Sequence, residues 1–426
     1  MVYPIDVSFI LVQFSNGLSS FEALNETELD RANGEIKRLV SINQTVVAIS
    51  NVRETSNYIQ VVTFQQANQG DGIIAVANQY FGTQYPHTKT LGTNLPASVF
   101  INDGVVFGFH SARTDVFMYQ GDGEQSISDV KMKNYFQQLG NDGVSDAVSV
   151  YDRFHEEYLL TCWRNYLKEA MFLASTGNLM EVEFPISDSQ PILNTIAKVE
   201  YYLNNKWNSI EGTMTSIDPS SGTTNLVVIT FDTTSPVPSN VNVKITYSIP
   251  ETISWFNGNE ITQQKRWKTF YDFTPEQYCQ IGSDVIAFDG GKVNLLNVNS
   301  VRNNFFGKQY TSQLNIVSNE NPDETKGWYS IYLESKEANG FNWSIPVIKN
   351  SIPQLSRLVK AGFKKLEEYY WSEFKRDLNT AGATNPIVNG RQLRSSSIEL
   401  DMVNDSTEEF TLRSVITEFE DSPRGT

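Results

Sequence analysis

The sequence predicts a mainly β fold: meander hairpins stacked like propeller blades, an inserted small all-β domain, and a C-terminal amphipathic helix. Three observations predict it. Short alternating or apolar runs at 61–64, 226–231 and 243–247 are separated by Asn, Asp, Gly and Ser, the period-two pattern of half-buried strands. Four segments share one shape, a short β-forming run, a polar turn and a second β-run. One stretch, 352–378, instead spaces its apolar residues every three to four positions.

Taken in order, SVFINDGVVFGF from Ser98 and VSVYDRFHEEYLL from Val148 are the first two hairpins. Asn102-Asp103-Gly104 supplies the residues that tolerate the positive φ a tight turn requires. Residues 165–250 differ in composition and look inserted. A short helix is expected at 166–174, then strands near 197–203, 209–217, 225–231 and 240–248, divided by SIDPSSGTT and DTTSPVPSN, which are turn chemistry. The third hairpin starts at Ile253 and turns at Asn257-Gly258; the fourth, VIAFDGGKVNLL from Val285, turns at Asp289-Gly290-Gly291. WKTFYDFTPEQY, from Trp267, carries rings at positions of both parities. It therefore suits a strand covered on both faces, with Trp267 and Phe270 in the core. The helix expected at 352–378 presents Leu355, Leu358, Val359, Phe363, Leu366, Tyr370 and Phe374 on one side, opens at Ser351-Ile352-Pro353 and stops before Asn379-Thr380-Ala381-Gly382. Strands at 397–402 and 410–419 follow, the last closing the β-assembly. The expected division is 1–163 for the first part of the propeller-like domain, 164–250 for the insertion, 251–350 for the second part, 351–390 for the helical segment and 391–426 for the closing strands.

A chain of 426 residues buries a large core without staples. Its net charge of −16 argues against a surface that neutralises phosphates. Cys162 and Cys279 each follow strand-like segments and are expected as buried free thiols. No apolar run has membrane-spanning length, and Met1 to Ile10 lacks the basic-then-apolar order of a signal peptide, so a soluble protein is expected. His87, His110 and His155 sit in no metal-ligand spacing. Asp152, His155, Glu156 and Glu157 are expected at a solvated hairpin tip. Asp272, Glu276, Asp284 and Asp289 cluster as glycoside hydrolysis would need, but that chemistry requires a defined spatial separation of carboxylates. Gln120-Gly121-Asp122-Gly123-Glu124 offers oxygens to Ca²⁺ without the twelve-residue ligand loop, and is expected as a plain loop. No catalytic, cofactor-binding or metal-binding residue is nominated, no cofactor is implied, and a non-enzymatic protein is expected.

In chain order, several motifs resemble the muzzle or nozzle proteins that end the tail barrel of short-tailed phages, most closely those of crAss-like phages. They are FGTQYPHTKTLGTNLPASVFINDGVVFGF with SISDVKMKNYFQQL, VSVYDRFHEEYLLTCW, KRWKTFYDFTPEQYCQIGSDVIAFDGGKVNLLN, FFGKQYTSQLNIVSN, GWYSIYLES, GRQLRSSSIEL and LRSVITEFEDS. The likeness covers 80–163 and 251–426; residues 165–250 have no counterpart. It implies a structural virion protein of the tail, self-associated as a homohexameric ring below the portal-proximal ring and other tail proteins. That ring would gate the DNA channel and be crossed by DNA and ejected cargo proteins. An acidic chain suits such a channel, because a wall that does not bind phosphate offers little friction. The rival expectation is a tail-tip receptor- or glycan-binding protein, motivated by the aromatic content and the insertion.

Overall fold

The computed structural model describes residues 9–11, 26–28, 35–42, 45–51, 59–64, 81–88, 92–120, 123–176, 179–185, 196–210, 212–219, 226–233, 238, 241–258, 265–352 and 354–421. The expected acidic loop at 121–122, most of the two turn-rich dividers of the insertion, the start of the chain at 1–8 and the turn after Gly258 lie outside them. Antiparallel sheets dominate, with few short helices, and no sheet among the described residues closes into a barrel or ring. The chain forms two compact units, Met1–Asn297 and Val298–Thr426.

In the first unit two four-stranded sheets run in sequential order, as meanders do. One comprises Glu35–Ile42, Thr45–Asn51, Ile59–Phe64 and Phe81–Thr88; the other Phe100–Asn102, Val105–His110, Asp115–Gln120 and Gly123–Ser126. Asp103 (φ 46°) and Gly104 (φ 78°) make the expected turn of the second. Every residue of Val105–His110 is buried because its sheet is covered on both faces. Val106, Phe117 and Tyr119 pack with Val40, Ile42, Val47 and Ile49. Phe107, Phe109, Val116 and Met118 face the other way, onto Phe136 and Leu139 of the helix Lys133–Asp142. That helix falls where the sequence reading placed no element. It ends at Gly143 (φ 86°), whose N–H bonds the Leu139 carbonyl, and it lies so close to the Ser111–Arg113 turn that a Cβ on Gly140 would sit 1.9 Å from Thr114 Cγ2.

Two long strands organise the rest of this unit. Glu157–Thr176 and Asn242–Phe256 pair antiparallel without a register shift from Glu157↔Phe256 to Met171↔Asn242. At one end they are flanked by Val144–Asp152 and Arg266–Tyr271; at the other by Ile196–Leu203 with Lys206–Ser209, and by Leu179–Pro185, Leu226–Thr233 and Gly212–Pro219. The helix expected at 166–174 is therefore strand. Its Leu, Lys, Glu, Ala and Met are good helix formers, but the unbroken ladder of 166–171 with 242–247 overrides that weak local preference. A third meander, Gln277–Ile281, Asp284–Asp289 and Lys292–Leu295, packs on Val144–Asp152, and Gly290 (φ 54°) and Gly291 (φ 73°) form its turn as expected.

The core of the second unit lies between two sheets. Ser312–Ser318, Ile398–Asn404, Trp343–Asn350 and Leu355–Leu358 form one. Lys364–Leu366, Tyr369–Glu373 and Lys326–Glu337 form the other, with Arg394–Ser395 and Phe410–Asp421 also paired to Lys326–Glu337. Trp328, Ile331 and Leu333 of the second sheet meet Trp343, Ile345, Ile348, Ile398, Leu400 and Met402 of the first. Phe410–Asp421 is the strand expected at 410–419, and it pairs Lys326–Glu337 over its full length. A register shift between its pairings Glu334↔Ser414 and Ser335↔Leu412 inserts one residue, so Leu412 and Val415 both reach the core.

The amphipathic helix at 352–378 does not form. That segment is two short hairpin arms and a longer strand: Leu355–Leu358, a turn at Lys360–Gly362, Lys364–Leu366, a turn with Glu367 at φ 54°, and Tyr369–Glu373. Leu358 and Phe374 are buried and Phe363 and Tyr370 pack on the core, but Val359 and Leu366 stay exposed, so the apolar stripe is not one face. The three-to-four spacing was the overlap of two period-two patterns across turns. Gly362 and the β-forming Tyr369-Tyr370-Trp371 were the contrary signals.

Candidate functional site

A buried polar cluster lies at the turn end of the hairpin between Val144–Asp152 and Glu157–Thr176. Asp152, almost inaccessible, accepts hydrogen bonds from Phe154 N (2.9 Å), His155 Nδ1 (2.7 Å) and Asn297 Nδ2 (2.9 Å). Burial pushes its carboxyl up, but the donors His155 and Asn297, the His155 charge and the Phe154 N–H together hold it below the usual carboxylate range. Glu157, wholly buried, accepts from Lys268 Nζ at 2.5 Å and Tyr271 OH at 2.9 Å. Burial first and the Glu157 charge second push the Tyr271 phenol up, so it stays a donor.

The expected solvated tip is thus corrected. Only its outermost residues meet solvent: Phe154 is 77% exposed, while Arg153 reaches back to Asn102 Oδ1 (2.8 Å) and Asp103 Oδ1 (3.2 Å) on the neighbouring hairpin. Sequence reasoning missed Glu157, Lys268, Tyr271 and Asn297 as partners. A usable signal was there, since Glu157 opens the apolar run Tyr158-Leu159-Leu160 and Lys268 interrupts an aromatic strand. An Asp–His pair orients a general base when a nucleophile adjoins the histidine. Among the described contacts His155 meets the Asp152 carboxylate and the Phe154 ring (4.8 Å), while Asn297 joins Asp152 to the segment after the third meander.

Along the aromatic strand Arg266–Tyr271 exposed and half-buried positions alternate. Trp267 packs on Phe136 and Trp255, with ring centroids at 4.9 and 5.4 Å, and its indole donates to the Ile127 carbonyl at 2.8 Å. Phe270 is 52% exposed and meets only the edge of Tyr135 among the described ring pairs, which corrects its expected core place. It stands opposite buried Ile253 in the strand register, where the Tyr135 ring of the helix covers part of it. Of the cysteines, Cys162 is buried, and that burial pushes its thiol up. Cys279 is exposed, correcting the second expected buried thiol: it lies on the outer side of a three-stranded meander whose inner side carries Tyr278 and Ala287.

Of the four clustered carboxylates, Glu276 comes beside Asp289, because its N–H bonds the Phe288 carbonyl next to the Gln277↔Phe288 pair, while Asp284 is carried away. Asp284 and Asp289 end the same strand, about 17 Å apart at 3.4 Å per residue, beyond the separation a glycosidase pair uses. Asp272 and Glu276 are exposed on the segment before Gln277–Ile281. His110 is buried, with Nδ1 accepting from Arg113 N (3.3 Å) and Nε2 against Asn51 Oδ1 (3.2 Å); the His87 side chain lies outside the described residues. Beside it a polar notch of about 400 Å³ is lined by Arg113, Asp115, Ser126, Ser128, Asp129 and Lys133 among others. Its Ser126 and Ser128 hydroxyls both donate to Asp115 Oδ1. Among the described residues no His, Cys, Asp and Glu side chains group as metal ligands, and no helix is long and apolar enough to cross a membrane.

Residues 300–377 match the family model of the crAssvirus muzzle protein C-terminal domain. The match begins two residues into the second unit and ends within it, before three strands that complete its sheets. No curated protein matches the chain. The match to a domain of a phage tail protein is consistent with a place in the virion tail.

Proposed function

We propose that the chain is a non-enzymatic structural subunit of the distal tail of a short-tailed phage, of the muzzle or nozzle type. In this reading it forms a homohexameric ring below the portal-proximal ring and other tail proteins, and gates a channel crossed by DNA and ejected cargo proteins. The observation that carries it is the match of 300–377 to the crAssvirus muzzle protein C-terminal domain. The order of the hairpin motifs through 80–163 and 251–426 supports it, as does the net charge of −16, which repels DNA from any wall the chain provides. The meander sheets of the first unit, one of them covered on both faces, are the elements that would stack as propeller blades. Immunogold labelling of purified virions should place the protein at the distal end of the tail, and mass spectrometry should find it in stoichiometric amount. Its recovery from infected cells but not from purified virions would overturn the reading.

A further inference from the structure

We infer that the sheet face carrying Tyr202 and Trp207 binds neutral saccharide. Ile196–Leu203 and Lys206–Ser209 form a hairpin through Asn204 (φ 53°) and Asn205 (φ 60°), and the hairpin pairs with Asn242–Phe256. Alternation along these strands separates two faces. Val199, Val243 and Ile245 occupy one and are buried. Lys198, Glu200, Tyr202, Trp207, Ser209 and Lys244 share the other.

On that second face Tyr202 and Trp207 stand directly opposite, ring centroids 5.2 Å apart and planes at 57°. Tyr202 is 40% exposed and Trp207 half-buried, whereas Trp255 and Trp328 are wholly enclosed. A cross-strand aromatic pair strengthens a hairpin by about 0.2–1 kcal/mol, which accounts for the contact but not for leaving both rings toward solvent among polar neighbours. The two tilted rings offer apolar surface on which the C–H face of a pyranose can stack. The side chains around it supply what sugar hydroxyls need: the Ser209 hydroxyl, the Glu200 carboxylate and the Lys198 and Lys244 ammoniums.

Charge selects among flat ligands. Lys198 is paired with Glu200 at 2.7 Å, and the Lys244 ammonium is turned onto the Trp207 ring, 5.4 Å from its centre. Both local ammoniums are thus engaged, one by a carboxylate and one by a ring, and the chain as a whole carries −16. Neither favours a phosphate backbone or an acidic polymer, which leaves an uncharged sugar. The inference does not depend on the tail assignment.

Whole chain labelled with 5-fluorotryptophan tests it by ¹⁹F NMR, the Trp207 line being the one lost in Trp207→Phe. Maltoheptaose, mannohexaose and a galactan fragment are the probes, with a heparin oligosaccharide for comparison. We expect at least one neutral probe to move the Trp207 line saturably, heparin not to move it, and Tyr202→Ala to weaken that binding about tenfold. A Trp207 line unmoved by all three neutral probes, moved by heparin alone, or moved with unchanged affinity in Tyr202→Ala overturns the site. The wild-type titration stands as the test should Tyr202→Ala fail to fold.

Discussion

Glu157 in the first unit and Lys326 in the second are both closed to solvent, yet they are accommodated by different chemistry. Glu157 meets an opposite charge, Lys268, and a phenol, Tyr271. Lys326 meets no carboxylate in the contacts described for it. Its ammonium donates to the Asn321 and Ser396 carbonyls at 2.8 and 2.7 Å and lies 5.8 and 5.3 Å from the Trp328 and Phe419 ring centres. A buried ion needs its lost hydration replaced, and either a counter-ion or a set of fixed dipoles and ring faces can do it. The first solution couples one strand to another through charge; the second pins loop backbone to a strand and leaves no partner ion to strand.

The coupling should be the more fragile of the two. Lys268→Ala leaves the Glu157 carboxylate buried with Tyr271 as its remaining named donor. The usual cost of orphaning a buried charge points to a loss of about 3 kcal/mol, the low end of the range because the Lys268 ammonium is itself partly solvated. Hydrogen exchange should report the loss at 158–162 and not at 331–333. Equal protection in wild type and variant at 158–162 would remove the counter-ion from the account of this unit.

Lys326→Met keeps the aliphatic stem against the Trp328 and Phe419 rings and orphans two carbonyls instead of a charge, so a smaller loss of about 2 kcal/mol is expected in the second unit. A urea titration comparing the two variants ranks them. If Lys326→Met proves more damaging than Lys268→Ala, dipoles and rings hold an ion better here than an ion pair does.

How far the sequence announced these units differs in the same way. Strands with turn-forming residues were legible: Asp103-Gly104 and Gly290-Gly291 adopt the positive φ their types permit, and the strands at 226–231, 243–247 and 410–419 all exist. Local chemistry suffices there. What was hidden is nonlocal. Residues 166–174 have helix-forming composition and become strand because 242–247 and then 181–182 offer ladders. Residues 352–378 show helical spacing only because turns at Lys360–Gly362 and Glu367 interrupt two strand patterns. Glu157 looked like a tip residue because its partners Lys268 and Tyr271 lie more than a hundred positions away.

The irregular segment after 373 sharpens the contrast, because the second unit depends there on close backbone approach. Buried Asp377 accepts from Leu355 N and Asn379 N, both at 3.0 Å, and a Cβ on Gly390 would lie 2.3 Å from the Pro386 carbonyl oxygen and 2.5 Å from that of Asp377. Both obstacles are backbone, so the chain itself must shift. Gly390→Ala should cost about 1–2 kcal/mol, read as a lower thermal midpoint for the second unit. An unchanged midpoint would mean that 374–393 adjusts freely and that the unit's order resides in its two sheets alone.

The smallest expected difference is the response to mild acid. All three histidines precede residue 156, so the second unit has none. In the first, burial and then the Arg113 charge lower the His110 pKa to about 4 from 6.5. The geometry agrees: Nδ1 accepts the Arg113 N–H and so carries no proton, leaving Nε2–H to donate to Asn51. A depressed folded-state pKa means that the unfolded chain takes up the proton first. Stability from this group is therefore complete above pH 6.5 and is lost as pH falls toward 4, amounting to about 1 kcal/mol at pH 5.5. Glu337 in the second unit has the opposite sign. Burial raises its pKa despite hydrogen bonds from Ser335 and Asn342, so acid relieves a penalty there. Between pH 7 and 5.5, exchange protection corrected for intrinsic rate should fall at 105–110 and hold or rise at 331–333. His110→Gln should flatten the first response; an unchanged acid loss in that variant, or an equal loss in both units, would take His110 out of the explanation.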